Sequence, residues 1–213
     1  MSPSELLGIA AKSVIRPGLL KNTKTYGRAE ELALVPVPGE TGQAPDGSPS
    51  PVYYIKQAKD GDEAFLAYIC DYKEGETNYQ VLGKEAPYCF TTTINGCTFS
   101  LGMPGLDGTL IVSHTNMKSD KMDPEDRVTR GGTSQTDFQA EIATRFHGTG
   151  LMVDPTVYWS GGDYVGGRKI NITVFGINDG GWKFYYQRWT RDSMSRVNAL
   201  IDLNAFSTSS RTF

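Results

Sequence analysis

The chain has 213 residues, and its 24 acidic and 21 basic side chains leave a formal net charge of −3. This length fits a single domain that buries a sizeable core and needs no disulfide or structural metal for stability. The slight acidity, with no basic stripe interleaved with aromatic residues, argues against nucleic-acid binding. No apolar run is long enough to span a bilayer, so we expect no membrane insertion by this chain. Three cysteines and two histidines fit no zinc spacing, so we expect neither a metal nor a cofactor.

The N-terminal quarter predicts an accessory arm. Residues 4–15 have the pattern of a short amphipathic helix that is ended by Pro17 and Gly18. Residues 35–51 are dense in Pro, Gly and Ser, which is typical of a mobile loop or linker. We therefore divide the chain into an N-terminal helix with its linker or arm, residues 1–51, and a single compact domain, residues 52–213.

Strand patterns dominate the rest of the chain. Strands are predicted at 52–56, 64–70, 78–82, 88–94, 151–153, 156–159, 169–175 and 182–189. A polar loop is predicted at 119–132 and a helix at 135–146, whose apolar residues recur every four positions. The sequence Asp179-Gly180-Gly181 predicts a hairpin turn between the last two strands, and residues 191–206 predict a final amphipathic helix. These elements predict an α+β fold in which mixed β-sheets form a sandwich-like core with a few covering helices.

Cys97 and His114 stand at the two ends of a predicted β-hairpin. Two apolar-alternating runs, 97–102 and 109–114, flank a segment with one Pro and two Gly. A turn centred between residues 105 and 106 sets Cys97 opposite His114, with Cβ atoms about 4.5–5.5 Å apart. A thiol beside an imidazole provides a nucleophile and its base. Gly96 allows a sharp turn and a close ligand approach just before the cysteine.

Two alternatives to this pair stay open. Cys97 and His114 also fit a structural role, since an unpaired cysteine behaves as a small buried hydrophobe. His147 is the competing base. Its place at the end of the predicted helix 135–146 also has a structural explanation, because the helix dipole favours a cation there.

The sequence Asn95-Gly96-Cys97, followed downstream by Ser113-His114-Thr115, resembles the bacterial glutamine deamidase toxins. This superfamily includes the cytotoxic necrotizing factor catalytic domain and the Burkholderia lethal factor, and it is related to the chemoreceptor glutamine deamidases. The resemblance implies that Cys97 is the nucleophile and His114 the base. It also implies that the backbone carbonyl of Thr91 orients the histidine. From the residues themselves, Gly96 would give access to the sulfur, and Asn95 would either polarise the substrate amide or serve as a turn residue.

The resemblance implies a toxin or effector, a virulence enzyme that deamidates a glutamine side chain of a target protein to glutamate. Residues 52–213 would form the catalytic domain, and the partner would be the target protein that carries the reactive glutamine. The protein would be secreted or injected into the cytoplasm of a target cell, and its N-terminus has no signal-peptide pattern. A transglutaminase or a cysteine protease would use the same dyad. A non-enzymatic, β-rich protein-interaction module is the remaining alternative.

Overall fold

The computed structural model describes residues 1–18, 20, 27–72, 76–102, 109–116, 151–153, 155–158, 170–192, 194 and 196–206. These residues form two helices and twelve strands. In chain order they are α1 (Pro3–Lys12), β1 (Val14–Pro17), β2 (Glu30–Gln43), β3 (Pro49–Gln57), β4 (Ala64–Cys70), β5 (Glu76–Leu82), β6 (Tyr88–Thr91), β7 (Thr98–Leu101), β8 (Leu110–Asn116), β9 (Leu151–Val153), α2 (Pro155–Tyr158), β10 (Ile170–Asn178), β11 (Trp182–Arg191) and β12 (Val197–Phe206). The predicted loop at 119–132, the predicted helix at 135–146 and His147 lie outside the described residues.

The larger sheet has eight strands in the order β1-β3-β2-β12-β11-β10-β6-β4, with both parallel and antiparallel pairs. β2 also pairs with β4, so the strands from β2 through β12, β11, β10 and β6 to β4 form a closed ring. β3 and β1 extend the sheet from the other edge of β2. The predicted hairpin turn is confirmed, because β10 and β11 pair in antiparallel fashion around Gly180 at φ +72°.

The smaller sheet is antiparallel and has the order β5-β8-β7-β9. It packs against one face of the larger sheet through a shared hydrophobic core that includes Tyr68, Cys89, Phe99, Val112, Ile172 and Phe184. Alternation along each strand sends the neighbouring residues to a second core, which includes Leu6, Ile15, Ile69, Phe90 and Phe175. The strands common to both cores are therefore buried on both faces.

α1 closes one end of the second core. Its N-terminus has a capping box, in which the Ser2 side chain accepts from the Glu5 N–H and the Glu5 side chain accepts from the Ser2 N–H. The buried Gln187 amide accepts from the Ile15 N–H at 2.7 Å and donates to the carbonyl of Ala10 at 2.7 Å. Gln187 thus ties the end of the helix and β1 to the larger sheet.

The structure bears out the mixed, packed sheets and an initial helix, but the described chain is richer in strand than expected. The helix ends at Lys12 rather than at residue 15, because Val14–Pro17 pair with β3 as β1. The linker prediction for residues 35–51 is wrong, because residues 35–43 belong to β2, residues 49–51 belong to β3 and only 44–48 form the turn between them. The proposed domain boundary at 51 falls inside β3. Prolines fit here because the β2–β3 register breaks between Pro36 and Thr41. The predicted final helix is also wrong, because residues 197–206 form β12 along β11. The strand predicted at 156–159 is wrong as well, because Pro155–Tyr158 form the short helix α2.

Candidate active site

The β7–β8 pair brings Cys97 and His114 to the same face of the smaller sheet. In the observed register Phe99 lies opposite His114 and Leu101 lies opposite Val112. The predicted register, with Cys97 directly opposite His114, is wrong by two residues. A shift of two preserves the face, because side chains alternate with a period of two. Cys97 shares the inter-sheet core with Phe99 and Val112, as that face requires.

Cys97 is therefore a diagonal neighbour of His114. Diagonal positions on antiparallel strands are about 7–8 Å apart at the backbone, within reach of a long or aromatic side chain. Both side chains are enclosed, with Cys97 4% and His114 1% exposed. The pair thus sits where water is scarce and electrostatic interactions between charged groups are strong.

The segment before Cys97 crosses from the larger sheet to the smaller one. Ile94 forms a two-way backbone bridge with Ile172 of β10, with both N···O distances 2.9 Å. The Asn95 side chain donates to the carbonyl of Ile170 at 3.2 Å. Gly96 then turns at φ +81°, a conformation that disfavours any side chain. Asn95 and Gly96, which directly precede Cys97 in the chain, anchor and turn the backbone in this structure. Their roles toward a substrate stay predictions.

Tyr158 of α2 fixes the backbone on both sides of this turn. Its hydroxyl accepts from the Gly96 N–H and donates to the Cys97 carbonyl, each at 2.8 Å, and its side chain is fully buried. Since the Gly96 N–H is bound to this hydroxyl, it is not a ready donor to a substrate oxygen. Sequence reasoning missed Tyr158, because 61 residues separate it from Cys97 and no local pattern links them.

His114 lies on β8, which runs between β5 and β7, so it is flanked by Phe99 of β7 and Asn78 of β5. The Asn78 side chain donates to the Asp71 carboxylate at 3.1 Å. The Tyr72 ring lies beside the imidazole, with ring centroids 5.7 Å apart. These polar and aromatic neighbours were also missed, since β5 and the residues after β4 carry no catalytic motif.

Tyr72 forms the outer side of this group. It is among the exposed large side chains, and its hydroxyl accepts from the Asn116 side chain at 2.9 Å. It therefore touches both solvent and the neighbourhood of the buried histidine.

Thr91 is fully buried at the end of β6, where it pairs with Cys70 of β4. Its hydroxyl donates to the carbonyl of Thr92 at 2.8 Å. The role assigned to the Thr91 carbonyl in orienting His114 stays a prediction.

Cys70 and Cys89 differ chemically from an activated nucleophile. All three cysteines are buried thiols. Burial raises the pKa of Cys70 and of Cys89 well above the ordinary thiol range, so both stay protonated at neutral pH. Both have the properties of inert core residues, as their places in predicted strands suggest.

The described residues contain no group of three or more His, Cys, Asp or Glu side chains placed to hold a metal ion. None of the helices in that part of the chain combines the length and apolar character needed to cross a bilayer.

Among solved structures, the chain is similar to the C-terminal domain of CNFy from Yersinia pseudotuberculosis. The two share 9% sequence identity, and the superposition has a TM-score of 0.40 and a match probability of 0.99. It covers 90% of this chain and 92% of that domain. No protein-family profile matches the sequence, and no curated protein matches it either.

Proposed function

We propose that this protein is a cysteine-dependent deamidase that converts a glutamine side chain of a target protein to glutamate. The observation that carries the proposal is the placement of Cys97 and His114 on one face of the β7–β8 pair, both enclosed between the two sheets. A glycine with positive φ directly before Cys97 supports it, because a residue without a Cβ adds the least steric obstacle to the close approach of a substrate group.

Acylation begins with the Cys97 thiolate, which is stabilised when the neighbouring imidazole carries the proton. The sulfur attacks the carboxamide carbon, and a tetrahedral oxyanion forms. The C–N bond then breaks, the His114 imidazolium transfers its proton to the leaving nitrogen, and ammonia departs. The product of this half-reaction is a thioester between Cys97 and the glutamine side chain.

Hydrolysis of the thioester regenerates the enzyme. Neutral His114 accepts a proton from water while the water oxygen attacks the thioester carbon. Collapse of the second tetrahedral oxyanion breaks the C–S bond, releasing glutamate and the Cys97 thiolate. In both steps the Cys97 N–H, the backbone donor of the nucleophile's own residue, stabilises the oxyanion, and the Tyr158 hydroxyl fixes the backbone around it by binding the Gly96 N–H and the Cys97 carbonyl.

The enclosure of the dyad favours a folded protein over a small molecule as substrate. Remote contacts are needed to bring the amide to a buried sulfur, and a protein surface supplies them. We therefore expect little ammonia release from free glutamine or from short glutamine peptides. The sequence resemblance adds the biological setting, a secreted or injected toxin or effector that acts in the cytoplasm of another cell.

The decisive experiment treats a eukaryotic cell lysate with the wild-type protein and searches its peptides by mass spectrometry for Gln→Glu conversion. Cys97→Ser and His114→Asn are each expected to abolish the conversion, because a nucleophile and its base act as a unit. Cys89→Ala is the matched control, since it removes another buried thiol of the same core and should retain the conversion.

The same samples distinguish the other enzymes that use this dyad. Added methylamine reports transglutamination, because the amine replaces water and leaves a methylated amide on glutamine. New peptide termini report proteolysis. Conversion that survives Cys97→Ser, in a variant shown to be folded by circular dichroism, would refute the mechanism.

A further inference from the structure

A groove of about 780 Å³ opens beside the candidate active site. Tyr72 lines it, and the Tyr72 ring is also the neighbour of His114 at 5.7 Å. Thr92 and Thr93 form another part of its wall, and they begin the segment that leads to Cys97. The groove is therefore continuous with the elements that hold the dyad.

Two arginines line the same groove, and their chemical settings differ. Arg16 is ion-paired with Glu40 at 2.8 Å. Arg191 packs over the Trp189 ring, with its guanidinium carbon 5.0 Å from the ring centroid. Among the described residues no carboxylate lies within ion-pair distance of Arg191, and its buried Nε has no hydrogen-bond partner.

The setting of Arg191 is unfavourable for its own charge. Burial lowers the pKa of its guanidinium, the nearby Arg16 lowers this pKa further, and Glu40, which is ion-paired with Arg16, offsets only part of the effect. A half-buried cation that is not itself ion-paired has an energetic cost that a bound anion reduces. Guanidinium groups bind carboxylates through two parallel N–H···O bonds, so a carboxylate is a suitable ligand.

The opposite charge lies near the dyad. Asp71 lines the groove next to Tyr72 and accepts from the Asn78 side chain at 3.1 Å. A second carboxylate brought to Asp71 would be repelled, whereas an uncharged amide would not. Two parts of the groove lining therefore favour different groups of a ligand. Arg191 favours an anion, whereas Asp71 and Tyr72 favour a neutral group.

We propose that this groove binds an acidic segment of the protein substrate, with a substrate carboxylate on Arg191 and the reactive glutamine next to Tyr72. The proposal rests on the proposed function and adds a substrate class to it, glutamines flanked by acidic residues. Pro36 and Pro38 of the wall offer no N–H groups, so the bound segment is held through its side chains rather than by strand pairing along this wall.

The test measures binding, so that it does not depend on turnover. A fluorescently labelled peptide with one glutamine and several flanking Glu and Asp residues is titrated with the Cys97→Ser protein, and anisotropy is recorded. Its matched probe has the same sequence with every acidic residue replaced by its amide. We expect the acidic peptide to bind at least about tenfold more tightly, the effect of one charge-assisted hydrogen bond.

Two variants in the Cys97→Ser background locate the effect. Arg191→Gln is expected to remove the preference for the acidic peptide. Arg196→Gln is the matched control and should keep that preference, because Arg196 is exposed and pairs with Asp192 at 2.9 Å outside the groove. Pro38→Glu places a negative charge at an exposed position of the groove wall and should also weaken binding, and it keeps the test valid if Arg191→Gln does not fold.

Each outcome separates this proposal from the proposed function. Equal binding of both peptides, or a preference that survives both groove variants, overturns the acidic-segment proposal even if lysate glutamines are deamidated. Displacement of the acidic peptide by equimolar inorganic phosphate overturns it too, since the groove would then be a general anion site. Binding as expected without any Gln→Glu conversion by the wild-type protein would instead refute the proposed function alone.

Discussion

Phe99 lies directly opposite His114 across the β7–β8 pair. This pairing packs the imidazole between a fully buried aromatic side chain and the β5 strand on its other side. The Phe99 ring contacts Phe184 of the larger sheet, with centroids 5.7 Å apart, so it also joins the two sheets below the dyad. The position of the histidine therefore depends on the packing between the sheets.

Replacing Phe99 tests that dependence. Phe99→Ala removes a ring with contacts to Phe184 and Phe206 and leaves a cavity, so we expect a loss of about 3–5 kcal/mol in the free energy of unfolding. Phe99→Leu keeps most of the volume and should cost less than about 1.5 kcal/mol. Urea unfolding followed by circular dichroism measures both. A loss below about 1 kcal/mol for Phe99→Ala would contradict the packing described.

Tyr158→Phe removes the hydroxyl that joins Gly96 to Cys97 and changes little else. Two buried backbone groups lose their partner, so we expect about 1–3 kcal/mol less stability. We also expect kcat to fall more than KM changes, because the displaced peptide carries the nucleophile.

Tyr68→Phe is the matched control for Tyr158→Phe. Its hydroxyl is bonded to the N–H groups of Gly83 at 3.2 Å and Glu85 at 3.0 Å, away from the dyad. The two variants should lose similar stability, and only Tyr158→Phe should lower the rate of glutamine conversion. An equal effect of both on the rate would assign Tyr158 a purely structural role.

The three thiols are expected to differ in reactivity. Iodoacetamide at neutral pH should alkylate Cys97 in the folded protein, while Cys70 and Cys89 should react only after unfolding, because their burial raises their pKa. His114→Asn should slow the reaction of Cys97 roughly tenfold by removing the group that stabilises its thiolate. Peptide mapping by mass spectrometry assigns each label. Slow alkylation of Cys97 that does not respond to His114→Asn would favour the interaction-module alternative.

The elements that could be predicted from the sequence are those whose signals are local. The N-terminal helix carries its own capping box at Ser2 and Glu5, and the β10–β11 hairpin is marked by two glycines at its turn. The face shared by Cys97 and His114 was also predictable, because it depends only on alternation. Their register was not, because it depends on where the turn lies, and residues 103–108 offer several positions for it.

Long-range pairing explains what the sequence pattern misses. The apolar spacing at Val197 and Leu200 fits a helix, yet pairing with β11, including the Arg188 and Asp202 side chains across the strands, makes this segment a strand. Proline-rich β2 likewise becomes a strand because β3, β4 and β12 all pair with it. Tyr158 reaches Cys97 through tertiary structure alone.

The buried thiols Cys70 and Cys89 predict a loss of stability in mild alkali. Burial raises the pKa of each thiol in the folded protein, and the neighbouring Cys89 and Asp71 raise that of Cys70 further. In the unfolded chain a thiol ionises near pH 8.5. Above that pH the unfolded chain releases protons that the folded protein retains, so the free energy of unfolding falls as the pH rises and is unaffected below about pH 8.

The magnitude follows from the same linkage. Each of the two thiols should lower the free energy of unfolding by about 1 kcal/mol between pH 8 and pH 9.5. This pH interval lies below the range in which tyrosine ionisation contributes strongly. Cys89→Ala lowers the stability at every pH by leaving a small cavity, but it should remove about half of the decline between those two pH values. Urea unfolding in the presence of a reductant measures the decline in each protein. A wild-type stability that is constant over this interval, or a decline that is unchanged in Cys89→Ala, would show that these thiols ionise as readily in the folded protein as in the unfolded chain.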